Sequence, residues 1–298
     1  MKLQRRLLLE PEDRDPAGSF TGWYVAATPW LVDASARYLR TWDVEAGRLI
    51  ASAEADSNGG VVIHPRRAEV LSVHETHVAA WTLPDLRRRV RASAAPGPEP
   101  AICLGSSGQH VLTLPRVHLL DVELRRLAGW REPAGGEPFL FEAAGWVADS
   151  RCRAAARGVD IRSWIDGTIV ATIAGDAPVT HLCRVHEEKL WLFQEEGRLD
   201  VWDVRSLTRV GGATLHQGGS LREDFQTDCV VCVDLLDPAT VVTLGSDGVV
   251  RFWTLPSWSL LHEHAFEMTP AWIDAREPED LAVGFFEDRI ETFRIFRG

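Results

Sequence analysis

The sequence contains no long apolar segment. Nowhere does it approach the ~18 uninterrupted apolar residues that a membrane-spanning helix requires. The N-terminal stretch MKLQRRLLLEPEDRD begins like a secretion signal, but its apolar core is only three leucines, and Glu10, Glu12 and Asp13 follow at once. Because a signal peptide needs a longer apolar core, we expect neither a signal peptide nor a membrane partner.

Cysteine and lysine are both scarce. The five cysteines are odd in number and irregular in spacing, which does not suggest a disulfide framework and favours a reducing compartment. We therefore expect a cytoplasmic protein. Lys2 and Lys189 are the only lysines among 32 basic residues. This arginine bias is typical of a GC-rich bacterial genome.

The motifs of common catalytic and cofactor sites are also missing. The sequence has no Gly-x-Ser-x-Gly elbow, no glycine-rich phosphate loop and no His-Glu-x-x-His pair. A net charge of −11 argues against nucleic acid as a partner, because binding phosphates needs a concentrated basic surface. The sequence thus predicts a protein that is not an enzyme and that holds no cofactor and no metal.

What the sequence does contain is a strong hairpin signal at residues 241–255. There VVTLG and VVRFWTL flank a tight Ser-Asp-Gly turn. Apolar, β-branched runs on either side of an Asp-Gly corner are typical of a β-hairpin. Both runs are apolar on both faces, so we expect this hairpin to be covered from two sides.

Weaker versions of this hairpin recur along the chain at intervals of 38 to 51 residues. The residues at the aromatic end of each repeat are Trp42, Trp81, Leu120, Trp164, Trp202, Trp253 and Phe293. The residue three positions earlier is always aliphatic, and the residue two positions later is aliphatic in six of the seven repeats. Because side chains alternate between the faces of a strand, these two offsets predict strands that are buried on both faces.

This repeat resembles the WD40-repeat family. A period of about 40–45 residues with a Trp-Asp signature is typical of WD40 propeller blades. Trp42-Asp43 and Trp202-Asp203 carry that dipeptide, and LGSDGVVRFW at residues 244–253 resembles the family's second strand, turn and third strand. The resemblance implies an all-β fold, namely a seven-bladed WD40-like β-propeller that forms a single domain over residues 1–298.

The chain departs from the family pattern at several points. Blades three and four are weak, because Leu120-Asp121 and Trp164-Ile165-Asp166 are imperfect signatures, and no Gly-His dipeptide precedes any first strand. We therefore expect the family's Asp-His-Ser/Thr-Trp hydrogen-bonded tetrad to be missing or incomplete.

The last blade lacks an outer strand of its own, because only RIFRG follows Phe293. In this family the N-terminus commonly supplies that strand. We therefore expect residues 3–9 to form the outer strand of blade seven, paired with residues 290–296, and to close the ring. Removing residues 1–10 is then expected to destabilise the whole ring.

Long connections between blades are rich in Gly, Pro and acidic residues, whereas the turns between third and fourth strands are short. In a propeller the long connections and the second-to-third-strand turns share one face, the top, and variable loops on a rigid scaffold commonly carry binding. Aromatic and arginine residues in such loops are typical of interface hot spots. The predicted partner-binding residues are Trp130, Arg131, Arg222, Glu223, Phe225 and Asp247. An alternative is that each aromatic folds back over its own loop.

Other candidate groups have simpler interpretations. Cys229 and Cys232 resemble a metal or redox pair, but residues three apart on a strand point to opposite faces, which favours packed cysteines. His262 and His264, like His74 and His77, are interpreted as solvated surface residues. Three arginine runs, at residues 5–6, 87–91 and 125–126, map to predicted outer strands. There they discourage intermolecular pairing, or alternatively form a basic rim on blades two and three for an acidic partner.

The resemblance implies a non-catalytic scaffold that presents its top face to a protein or peptide partner in a larger bacterial complex. Two alternatives remain open. One is a propeller enzyme of the lactonase or glycosidase kind, or a small-ligand sensor, using the central channel. The apolar appearance of AICLG, VVCVDL and YVAAT in the inner strands disfavours it. The other is a specialised module working beside an ATPase and an adaptor.

Overall fold

The computed structural model is built almost entirely of β-strands. Its strands are β1 (Lys2–Leu9), β2 (Ser19–Tyr24), β3 (Trp30–Ser35), β4 (Tyr38–Asp43), β5 (Arg48–Glu54), β6 (Val61–Ile63), β7 (Glu69–Val73), β8 (Val78–Thr82), β9 (Arg88–Ala92), β10 (Ala101–Leu104), β11 (His110–Leu114), β12 (Val117–Asp121), β13 (Arg126–Trp130), β14 (Pro138–Phe141), β15 (Trp146–Ser150), β16 (Gly158–Ser163), β17 (Ile169–Ala174), β18 (Val179–Val185), β19 (Lys189–Gln194), β20 (Arg198–Asp203), β21 (Thr208–Thr214), β22 (Val230–Asp237), β23 (Thr240–Gly245), β24 (Val249–Thr254), β25 (Ser259–Ala265), β26 (Pro270–Arg276), β27 (Asp280–Phe285) and β28 (Arg289–Phe296). A 3₁₀ turn lies at Glu195–Gly197.

The structure describes residues 1–11, 19–35, 37–55, 60–74, 76–93, 101–105, 107–114, 117–130, 138–142, 144–150, 158–175, 179–185, 189–216, 229–276, 279–286 and 288–296. Most of the predicted long connections lie outside these ranges.

The strands form seven antiparallel sheets of four strands each. Sheets 1 to 6 each use four consecutive strands, beginning with β2–β5 as sheet 1 and ending with β22–β25 as sheet 6. Sheet 7 has the order β1-β28-β27-β26. Sheets 1, 6 and 7 belong to one compact unit, and sheets 2 to 5 belong to a second. That the two units make a single domain stays a prediction.

The register of sheet 7 confirms the expected role of the N-terminal strand. Leu3 pairs with Ile295 and Leu9 pairs with Ile290, within a ladder that extends from Lys2 to Leu9. Leu9 is 1% exposed and packs with Leu31 and Trp42 of sheet 1, whereas Leu8 is 43% exposed. Strand β1 therefore completes the last sheet and also contributes to the core of its unit.

A bulge marks the same position in the pairing of the third and fourth strands of six sheets. In sheet 1 it falls between Thr41 and Trp42, and in sheet 6 between Phe252 and Trp253. In sheet 4 the equivalent position is Arg162, because the bulge follows Ile161. The choice of Trp164 as the repeat residue of blade four is therefore wrong by two positions.

Middle strands are buried on both faces, as the repeat predicts. All six residues of β23 and of β27 are buried, whereas most residues of the outer strand β25 are exposed. Phe252, Phe285 and Ile295 belong to one apolar cluster that joins sheets 6 and 7. Burying a side chain of this size contributes about 1.5–3 kcal/mol, so such clusters supply most of the stability of each unit.

Trp272 of β26 shows how two glycines make room for a core aromatic. The residue is 3% exposed, and a Cβ added at Gly22 or at Gly284 would lie 2.3 Å or 2.0 Å from its indole ring. Any larger residue at either position would therefore displace the ring. The sequence-based assignment of Trp272 to the core is confirmed.

Candidate functional site

Four of the six predicted partner-binding residues lie outside the described residues. They are Arg131, Arg222, Glu223 and Phe225. The structure places the other two, Trp130 and Asp247, in well-packed surroundings that the sequence did not indicate.

Trp130 is the last residue of strand β13 and not part of a loop. Its indole packs on Gly167, where an added Cβ would lie 2.5 Å from the ring, and it contacts the apolar cluster around Leu112 and Leu140. The indole nitrogen is buried and has no hydrogen-bond acceptor among the described residues. The predicted loop placement of Trp130 is therefore wrong, and its contacts are those of a packing residue.

Asp247 lies in the turn between β23 and β24, as predicted. Its carboxylate is 2.7 Å from Nη2 of Arg251, accepts a hydrogen bond from the backbone N–H of Val249 at 3.0 Å, and lies 3.7 Å from Nδ1 of His216. Burial raises the pKa of Asp247, but the neighbouring His216, the ion pair with Arg251 and the hydrogen bond from Val249 outweigh burial and hold the pKa well below its usual range. The carboxylate of Asp247 therefore stabilises its own turn.

His216, Thr243 and Trp253 form three members of a hydrogen-bonded tetrad in sheet 6, and Asp247 lies beside it at 3.7 Å from Nδ1 of His216, which contacts Arg251 instead. The indole N–H of Trp253 donates to Oγ1 of Thr243 at 2.9 Å, and Nε2 of His216 lies 2.9 Å from the same oxygen. His216 and Thr243 are fully buried. The tetrad of this sheet is therefore incomplete, as expected, because the link between Asp247 and His216 is longer than a hydrogen bond. The other three members are present although the histidine follows Leu215 and not a glycine.

Sheet 2 holds a variant of this tetrad. The indole N–H of Trp81 donates to Oγ of Ser72 at 2.9 Å, and Nε2 of His74 lies 3.0 Å from that oxygen. His74 comes from the turn after β7 and stacks on His77 with ring centroids 4.1 Å apart. Because His74 is only 6% exposed, its interpretation as a solvated surface histidine is wrong.

Sheet 1 replaces the hydroxyl by a carboxylate. The indole N–H of Trp42 donates to Oδ1 of Asp33, and Arg40 donates to both Asp33 and Asp288 of sheet 7. Burial raises the pKa of Asp33, although the hydrogen bonds from Arg40 and Trp42 oppose that rise. Removing either partner would leave an uncompensated buried charge, so this network fixes the hairpin of sheet 1.

Two carboxylates that the sequence did not single out, Asp234 and Asp274, lie on the first strands of sheets 6 and 7. Oδ2 of Asp234 accepts a hydrogen bond from the backbone N–H of Ala275 at 2.6 Å, and Oδ2 of Asp274 accepts one from the backbone N–H of Tyr24 at 2.6 Å. The two carboxyl groups also lie close enough to influence each other's protonation. The signal that could have found them is the Asp at the same place in VVCVDL and AWIDA, forty residues apart.

Burial raises the pKa of Asp234 to about 6. Burial also raises the pKa of Asp274 well above its usual value, and the negative charge of Asp234 raises the pKa of Asp274 further. Two adjacent carboxyl groups that share a proton behave in this way. Glycosidase carboxyl pairs stand about 5–9.5 Å apart with substrate or water between them, unlike a pair in direct contact. The pair instead links the backbones of β22, β26 and β2 through hydrogen bonds. These first strands are therefore less uniformly apolar than their sequences suggest.

The remaining groups are engaged within the fold. Cys229 is fully buried, as expected for a packed cysteine, and the thiol of Cys232 contacts the carbonyl of Ile273 at 3.4 Å. Within the described part of the chain, no three His, Cys, Asp or Glu side chains are grouped to hold a metal ion.

Two arginines of the predicted basic rim on sheets 2 and 3 have acidic partners. Arg89 is 2.7 Å from Glu69 and 2.8 Å from Glu123, and Arg125 is 2.7 Å from Asp121. Much of the positive charge that an acidic partner would use is therefore compensated locally.

Seven four-stranded meanders, with an N-terminal strand that completes the last one, define a seven-bladed β-propeller of the WD40 type. The structure is similar to the WD40 β-propeller domain of Doa1, with a TM-score of 0.74, 13% sequence identity, and coverage of 99% of this chain and 98% of that one. At this identity the likeness establishes the fold alone. No family model matches the sequence, and a search of curated proteins finds no match. No helix among the described residues is long and apolar enough to cross a membrane.

Proposed function

We propose that this chain is a non-catalytic interaction scaffold that binds a protein or peptide partner through its loop-rich face, as part of a larger complex in the bacterial cytoplasm. Propellers of the WD40 type commonly mediate protein interactions, and that generality supplies the class of function. The identity of the partner does not follow from the fold.

One observation supports the proposal most directly: the turns next to the loops are held by buried hydrogen-bonded networks. The tetrad around Thr243 fixes the turn that contains Asp247, and the network around Asp33 fixes the hairpin of sheet 1. A binding surface mounted on such turns is ordered before the partner arrives, so binding costs less conformational entropy. Asp247 then supports the surface and does not itself contact the partner.

The acidic pair at Asp234 and Asp274 does not favour the enzymatic alternative. Each carboxylate accepts a hydrogen bond from a backbone N–H and interacts with the other carboxyl group, and both groups are thereby engaged within the fold. Both groups therefore serve to join strands.

The test is affinity capture from the native host with four versions of the full chain: wild type, Phe225→Ala, Arg222→Glu and Arg66→Glu. Arg66 is an exposed arginine in the turn between β6 and β7 and serves as the matched control. We expect one or two stoichiometric partners with wild type and the control, and loss of those partners with the two loop variants at unchanged melting temperature. Full retention by both loop variants would show that the loop assignment is wrong.

A further inference from the structure

Two histidines lie on the inward face of β25, the outer strand of sheet 6. His262 and His264 stand two residues apart, so their side chains project from the same face of the strand. Both are half-buried, whereas the neighbouring Leu261, Glu263 and Ala265 are exposed. The interpretation of the two histidines as solvated surface residues is therefore wrong.

Aromatic rings surround both imidazoles. The ring centroid of His262 lies 6.1 Å from that of Phe252 on β24. The ring centroid of His264 lies 4.7 Å from that of Phe266 and 6.2 Å from that of Phe293 on β28. Phe266 also packs on Phe293, with 5.5 Å between the ring centroids. These rings form a contact between sheets 6 and 7, which we call the histidine seam.

The histidine seam disfavours the charged form of both imidazoles. Burial lowers the pKa of His262, and the positive N-terminal amino group lowers it further. Burial also lowers the pKa of His264, and the positive charge that His262 gains on protonation lowers it further. Because an unperturbed histidine titrates near about 6.5, both groups take up protons only in mild acid.

The two carboxylates nearest the histidines are engaged by arginines. Glu291 of β28 pairs with Arg5 at 3.3 Å and also with Arg289. Glu263 of β25 lies 3.3 Å from Nε of Arg251 on β24. Each carboxylate raises the pKa of the nearer imidazole, but this attraction is smaller than the effect of burial. A protonated imidazole would therefore compete with an arginine for its counter-ion.

We propose that the histidine seam is an acid-sensitive latch, in which protonation of His262 and His264 loosens the attachment of β25 to sheet 7. Strand β25 is the edge strand of sheet 6, and its five other residues are exposed, so the two histidines supply the buried part of the strand. Met1 and Leu3 pack against the same apolar cluster as Phe266. Opening of the latch would therefore also uncover the N-terminal segment that completes sheet 7.

The direction of the effect follows from proton binding. Because the pKa values of both histidines are lowered in the closed form, the open form binds more protons in mild acid. Opening therefore becomes more favourable as the pH falls through about 6.5. This device is independent of the partner that we propose for the loop-rich face.

The test is hydrogen–deuterium exchange of the full chain, read by mass spectrometry at about pH 7.5 and about pH 5.5 and corrected for the intrinsic effect of pH on exchange. We expect exchange over residues 259–269 to rise about threefold or more in acid, with no such rise in the outer strand β5 of sheet 1. The double variant His262→Gln with His264→Phe cannot be protonated at these positions and should lose the rise. The matched control Glu263→Gln, at the exposed position between the two histidines, should keep it.

Three results would overturn the proposal. These are no rise in the wild type, an equal rise in the double variant, and an equal rise in β5. If the double variant does not fold, exchange of the histidine C2 hydrogens in the wild type decides, because it reports the pKa of each imidazole, and ordinary or raised values for His262 and His264 would overturn the latch. Asp234 and Asp274 do not produce the expected rise, because their raised pKa values stabilise the fold as the pH falls.

Discussion

Individual hydroxyl and carboxyl groups decide how firmly the turns of this protein are held. Thr243, Ser72 and Asp33 occupy the same place on the second strand of their sheets, and each accepts the indole N–H of the tryptophan on the third strand. The three acceptors are chemically different but satisfy the same buried donor. Three different polar acceptors therefore serve at this position. In sheet 5 the equivalent residue is Leu192, and the buried indole nitrogen of Trp202 has no hydrogen-bond partner among the described residues.

Replacing Thr243 by Val should destabilise the protein although the side chain keeps its shape. The change removes the hydroxyl that accepts the indole N–H of Trp253 and contacts Nε2 of His216, so both buried contacts are lost and we expect a loss of about 1–3 kcal/mol in the free energy of unfolding. Urea unfolding measures it. Thr214→Val, at an exposed position of β21, is the matched control and should change little; equal losses in both variants would contradict the role of the tetrad.

The pair of Asp234 and Asp274 should make stability depend on pH in an unusual direction. Their pKa values are raised in the folded protein, so it binds more protons than the unfolded chain between about pH 4 and the raised values. The stabilising contribution is full below pH 4 and is lost as the pH rises through about 6, the raised pKa of Asp234. We expect Asp274→Asn to reduce the loss of stability with rising pH, because only one titrating carboxyl group of the pair remains.

The measurement is the free energy of unfolding of wild type and Asp274→Asn between about pH 4 and about pH 8. Asp203→Asn at the end of β20 provides the control, because the hydrogen bonds from Ser206 hold the pKa of Asp203 below its usual range, so this group should not alter the slope between these pH values. Parallel pH profiles for wild type and Asp274→Asn would refute the shared proton.

At the scale of elements, strand β1 has one face that packs in the core and one face that is largely exposed. Leu9→Ala should cost about 2–5 kcal/mol, because the residue is 1% exposed among Leu31, Trp42 and Ile290. The neighbouring Leu8→Ala is the natural control and should be nearly neutral in thermal melting. A similar loss for both would mean that β1 does not hold the register described here.

Strand β17 differs from the other outer strands. Its sequence IVATIA has no charged residue, whereas β1, β5, β9, β13, β21 and β25 each contain at least one. Ile169 is 52% exposed and Val170 is 48% exposed. An uncharged apolar edge lacks the usual protection against pairing between molecules.

Val170→Lys should therefore reduce self-association at concentrations where the wild type aggregates. Light scattering below the melting temperature measures the effect. The control is Val210→Lys on β21, which changes a similarly exposed valine on a strand that already contains Arg209. This variant should reduce self-association much less. If both lysines acted equally, net charge and not the edge of β17 would be the cause.

At the scale of the whole molecule, the prediction of a single domain implies one cooperative unfolding transition. Leu9 lies in the unit of sheets 1, 6 and 7, and Leu112 lies in the unit of sheets 2 to 5. Leu9→Ala and Leu112→Ala should then each shift one common transition, followed by circular dichroism and by tryptophan fluorescence. Two separate transitions, each moved by only one variant, would show that the units unfold independently.

The sequence by itself determined the number of sheets and the burial of middle strands on both faces. These two features follow from periodic apolar residues and turn residues, which act over short distances along the chain. The completion of sheet 7 by β1 was implied by the resemblance to the WD40-repeat family. The position of the repeat residue failed only in sheet 4, where Arg162 takes the place of a tryptophan and pairs with Asp160. An arginine there does not look like a core residue until its partner is known.

Only the tertiary structure decided the contacts between residues that are far apart in sequence. His216 and Thr243 are 27 residues apart, and Asp274 reaches a backbone N–H that is 250 residues away. Likewise, Trp130 was assigned to a loop because Gly and Pro follow it, but its indole packs on Gly167. Hydrogen bonds and packing between sheets depend on three-dimensional proximity, which local patterns do not encode.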